Sequence, residues 1–110
     1  MIIPKEEVMT ILSSLGYEVV QTSQNVFNDF PVITFYVEDN QNKYSLDKQL
    51  IDQDITVSVN IWAEDSVKAS EILEQVEKVM REHGYYMTMW NDIPNIDKSI
   101  FHIACRIKRM

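Results

Sequence analysis

The sequence predicts an α+β domain: an antiparallel sheet of about four strands, two helices packed on one face, and a long loop between the first and second main strands. Three observations lead there. Ile55, Val57, Val59 and Ile61 alternate with Thr56, Ser58, Asn60 and Trp62, the period of a strand with one wet face. Ala69, Ile72, Leu73, Val76, Val79 and Met80 then recur at helical spacing and form one continuous stripe. The chain closes on two strand-like stretches joined by "NDIPNIDKS", which makes them a hairpin. Because each helix is apolar on one side only, both are best placed against a shared sheet face.

Taken in order, Pro4 suits the first helical position, where its missing N–H costs nothing, and Glu6 and Glu7 follow where the helix dipole favours negative charge. Val8, Ile11, Leu12 and Leu15 supply the buried stripe, and Gly16 offers a left-handed stop. Tyr17 to Val20 reads as a short edge strand, and the polar stretch that leads from it to Pro31 reads as loop. "VITFYV", residues 32–37, is dense in β-branched and aromatic residues with apolar groups on both faces, which favours a central strand. Residues 38–54 have no clean period, so they read as the long loop, with Tyr44, Leu46, Leu50 and Ile51 scattered among its charges. Asp65 or Ser66 can cap the second helix, Glu74–Lys78 and Glu77–Arg81 are favourably spaced four apart, and Gly84 ends it. "YYMTMW" (85–90) is the third main strand and "IFHIACRIKR" (100–109) the fourth, with Phe101, Ile103, Cys105 and Ile107 on one face.

Composition sets the class. With 110 residues, 45% hydrophobic and 25% charged, the chain fits one domain, residues 1–110, that folds unaided. No apolar run approaches the roughly 20 residues that cross a bilayer, and Met-Ile-Ile-Pro-Lys-Glu-Glu does not read as a signal peptide, so the protein is expected to be made and kept in cytoplasm. One cysteine, Cys105, excludes an internal disulfide. Residues 1–97 hold all 17 acids against six Lys and Arg, a balance of −11, whereas 98–110 hold Lys98, Arg106, Lys108 and Arg109 and no acid. Four cations do not make the broad basic face that phosphate binding needs.

Chemistry is conspicuous by its gaps. Gly16 and Gly84 are helix stops, leaving no phosphate cradle. His102 and Cys105 are three apart on a strand and so fall on opposite faces, which argues against a shared metal. Neither histidine has an evident orienting partner beside a nucleophile, and the acid pairs flank a loop. No catalytic, cofactor or metal residue is expected, and the chain does not read as an enzyme. Trp62 ends a polar face, and Trp90 is expected to share a face with Tyr86. Aromatics placed so are covered either by the chain's own loop or by a second chain, for which tryptophan makes a good anchor.

"DFPVITFYVEDN", a long polar loop, "ITVSVNIWAEDSVKASEILEQVEKVM" and the closing "FHIACRIKR" together resemble the tail completion proteins of long-tailed phages and prophages, also described as head-to-tail joining or tail terminator proteins. The resemblance runs from the first helix to the last strand and rests most on residues 55–80; residues 17–30 do not carry it. It implies a structural subunit of the virion that assembles as a ring, commonly hexameric, between the tail tube protein and the head connector protein. Itself, tube and connector would be its partners, DNA would pass without specific binding, and neither cofactor nor membrane would be involved. Tyr44, Leu46, Leu50, Ile51, Trp62 and Trp90 are then the candidates for the subunit interface. Two other classes compete: an acidic inhibitor or immunity-type binding protein of phage or mobile-element origin, motivated by the −11 body, and a small-molecule regulatory domain of ferredoxin-like build, disfavoured by the missing Gly-rich loop.

Overall fold

A computed structural model describes the backbone of residues 3–21, 30–44, 50–94 and 99–109, and their side chains except at 39–44 and 50–53. The elements are α1 (Pro4–Ser13), β1 (Glu18–Gln21), β2 (Val32–Tyr44), β3 (Leu50–Ala63), α2 (Ser66–Glu82), β4 (Tyr85–Ile93) and β5 (Phe101–Arg109). Pro4 opens α1, Glu6 and Glu7 sit in its first turn, and Val8, Ile11 and Leu12 are buried. Gly16, at φ +87°, turns the chain into β1 in a conformation that L side chains rarely adopt. At α2 the cap is Asp65, whose Oδ1 accepts the Val67 N–H at 3.0 Å. The helix buries Ala69, Ile72, Leu73, Val76 and Met80, and Glu77 pairs with Arg81 at 3.3 Å on its outer side.

The five strands lie in the order β1-β2-β3-β5-β4, with β1 parallel to β2 and every other pair antiparallel. Both helices contact the sheet, and Ile33, Phe35, Val57, Val59, Ile61 and Ile107 meet Val8, Leu12, Ile72 and Val76 in one core. Arg109 ties the chain's ends together: its Nη1 donates to the His83 carbonyl at 2.8 Å and to Glu7 Oε1 at 3.3 Å, and the guanidinium lies 5.4 Å from the Tyr85 ring centre. Burial, reinforced by the Glu7 charge, pushes the Tyr85 hydroxyl up to about 12.

Three expectations are corrected. The sheet has five strands rather than about four, and it is mixed, because β1 joins as a parallel edge. Residues 38–54 are not one long loop: β2 and β3 stay paired from Asp39↔Thr56 to Tyr44↔Leu50, with a register shift between Lys43 and Tyr44. Ladder hydrogen bonds need no apolar period, and a run of Asp, Asn and Gln has low strand propensity, so nothing in the composition announces this pairing. β5 stops at Ile55↔Arg109. Beyond it, Gln41–Tyr44 and Leu50–Asp54 project as a two-stranded ribbon. The molecule is accordingly 54 Å long against 24 and 21 Å, and its radius of gyration is 14.9 Å, above the ~13 Å of a compact chain this size.

Candidate functional site

Opposed residues of antiparallel strands share a face, so the register lays out the side of the sheet that carries no helix. One row crosses β2, β3, β5 and β4 as Tyr36, Ser58, Arg106 and Met89. A second runs Val32, Trp62, His102 and Ile93. Around Val32, Thr34 and Trp62 this bare face is closed, with Val32 fully buried, Thr34 2% exposed and Trp62 only 7%, while Tyr36 further along β2 is 37% exposed. Toward β4 it is open.

Trp62 owes its burial to its neighbours. Its indole stacks on the His102 ring at 3.6 Å and 13°, and its Nε1 donates to Thr34 Oγ1 at 3.3 Å. His102 Nε2 lies 2.7 Å from Asn60 Oδ1, an oxygen that accepts, so the neutral ring carries its proton on Nε2. Burial holds the His102 pKa below its ordinary value. A polar face therefore ends in tryptophan because a cross-strand imidazole, a threonine and an asparagine make a lined seat for it. The expectation of Trp62 as an anchor for a neighbouring chain is corrected: it is sealed within its own.

Trp90 is half exposed, at 52%, but not beside Tyr86. Register slips at Thr88, between the pairs Met87↔Ile107 and Met89↔Arg106, and the extra residue exchanges the faces of everything after it. Tyr86, opposite Lys108, is on the bare face; Trp90, opposite Cys105, is on the helix side. Of the other interface candidates, Leu46 lies outside the described residues, and Tyr44, Leu50 and Ile51 are placed in the ribbon by their backbone alone.

The sequence reading caught the stripe on β4 only in part: it put Tyr86 on an aromatic outer face but did not single out Met89 or Ile93. Tyr86, Met89 and Ile93 stand on the bare face with 53%, 45% and 39% of their surface exposed. Monomeric sheets protect their edge strands with Lys, Pro or short length. β4 runs nine residues and contains neither Lys nor Pro; its guards are the bulge at Thr88 and one charge, Asp92. Beyond Ile93 lies a cleft of about 500 Å³ whose walls mix Pro94, Ile100 and Phe101 with Ser66 and Asp92. "YYMTMW" did carry the signal, since apolar residues of both parities cannot all be covered on an edge strand. Beside the stripe, β5 presents Lys108 opposite Tyr86 and Arg106 opposite Met89. Arg106 Nε also reaches Glu38 Oε2 at 3.1 Å.

No protein-family model matches the chain, and no curated protein does. The remaining reactive groups are held in structural roles. Cys105 faces the helices with 4% exposure, and burial pushes its thiol up to about 12, far from the thiolate that nucleophilic chemistry uses. His102 stands on the opposite face of β5, as a spacing of three requires. His83 Nδ1 contacts the Val79 carbonyl at 2.9 Å at the end of α2. Among the described residues, no three His, Cys, Asp or Glu side chains converge for a metal, and no helix is long and apolar enough to cross a membrane.

Proposed function

We propose that this chain is a structural subunit of a phage or prophage tail, a tail terminator or head-to-tail joining protein that assembles as a ring, with a hexamer favoured, where the tail tube meets the head connector. One observation carries the reading: a well-packed monomer presents two dissimilar surfaces, an exposed apolar stripe on β4 and a ribbon projecting from β2–β3. Closed rings are built from heterologous contacts, which join two different patches of each subunit. The net charge of −7 suits a channel that DNA must pass without adhering, because like charge repels phosphate. The sequence resemblance to tail completion proteins points the same way, and the reading calls for neither cofactor nor chemistry.

The inhibitor alternative wants a continuous acidic surface. On α2 the exposed Glu71, Glu74 and Glu82 are interleaved with Lys68, Lys78 and Arg81, and two of these cations are ion-paired with neighbouring glutamates, which breaks up the field. Electron microscopy of particles released by a lysogen with this gene inactivated tests the proposal. Filled heads and separate tails that fail to join are the expected products. Intact, infectious virions at normal yield would sink it.

A further inference from the structure

The bare face of β4–β5 and the projecting ribbon are complementary in three respects. First, past Ile55↔Arg109 the described part of β3 pairs only with β2. A two-stranded ribbon is marginal in water unless a third element packs on it. Second, the sequence puts apolar residues at the ribbon's far end, where Tyr44 pairs with Leu50 and Ile51 follows. The stripe of Tyr86, Met89 and Ile93 is apolar too, and exposed. Third, the ribbon segments 41–44 and 50–54 contain Asp52 and Asp54 against Lys43, while β5 carries Lys108 and Arg106, the latter already paired with Glu38 of its own chain at 3.1 Å. Arg106 and Lys108 border the stripe on the same face.

The geometry points to one contact that answers both needs: the β2–β3 ribbon of a second copy of this chain lies on the bare face of β4–β5, along Tyr86, Met89 and Ile93 and beside Lys108. This rests on the ring reading above and names the surfaces that meet in it. A β4-to-β4 contact is the rival. It would close as a two-fold dimer and leave both ribbons unsupported.

Cysteine cross-linking distinguishes these. The native thiol is buried and unreactive, so introduced cysteines report alone. Met89→Cys marks the stripe and Lys43→Cys the ribbon; one variant carries a tag, each is confirmed to unfold at the wild-type denaturant midpoint, and the two are mixed, alone and with tail tubes, then treated with a flexible thiol cross-linker. A link between the tagged and untagged chains is expected. Adding Tyr86→Ser to the Met89→Cys chain should lower its yield about tenfold or more, as loss of a central aromatic contact does. Efficient linking of Met89→Cys to itself would overturn the proposal in favour of the two-fold dimer. Assemblies that form without the mixed link would overturn the proposal and leave the ring standing. Persistent monomer in both conditions would overturn the ring reading and this contact with it.

Discussion

The two faces of one sheet solve burial differently. Under the helices, Ile33, Phe35, Val57, Val59 and Ile61 are fully buried by aliphatic and aromatic packing, and the cost of ordering them is met by area removed from water. On the bare face, Trp62 is covered by a stacked imidazole and a threonine hydroxyl, and a short way along the same face Tyr86 and Met89 keep 53% and 45% of their surface exposed. Aliphatic packing tolerates no change of volume; a polar seat tolerates no change of hydrogen-bonding capacity; an open stripe tolerates either. The contrast ranks the effects of mutation.

Phe35→Ala, on the helix side, should cost about 3–5 kcal/mol in urea unfolding. A smaller loss would mean that the core collapses around the cavity. Trp62→Phe keeps most of the stacked area but leaves the Thr34 hydroxyl without its partner, and about 1–2 kcal/mol is expected. If Trp62→Phe instead matched the wild type, the seat would be packing alone. Smaller still is a pH effect confined to the bare face. Burial lowers the His102 pKa, so the unfolded chain binds its proton first. The contribution is fully present above the unfolded value of about 6.5 and is lost as pH falls from there through the lowered folded value. Urea midpoints of the wild type should therefore drop between about pH 7.5 and pH 5 more than those of His102→Gln, which retains a donor for Asn60. Equal drops would remove His102 from the cause. Least of all, Tyr86→Ser and Met89→Ser should each leave stability within about 0.5 kcal/mol.

Legibility in the sequence followed the same division. Both helices, the strand at 55–61 and the terminal hairpin announced themselves because periodic burial leaves a periodic pattern, as Val57-Ser58-Val59 and Ile72-Leu73-Val76 illustrate. The ribbon did not, because Asn40, Gln41 and Asn42 are held by backbone bonds that any side chain permits. Nor did the fate of the two tryptophans. Trp62 meets His102 through a cross-strand register that no local spacing encodes, and Trp90 changes face because of one bulged residue, Thr88, that reads like any other strand residue. The candidate surface was half visible: residues 38–54 and an aromatic outer face holding Tyr86 were expected to meet neighbours, whereas Met89 and Ile93 were not singled out.

Sedimentation velocity of the Tyr86→Ser/Met89→Ser double variant beside the wild type, alone and with tail tubes, paired with urea unfolding of both, bears most directly on whether the open stripe serves assembly. The wild type should associate, and the double variant should stay monomeric while unfolding within about 1 kcal/mol of it. A double variant that associates as the wild type does, yet unfolds several kcal/mol sooner, would make Tyr86 and Met89 part of the fold and leave the proposed ring without its contact.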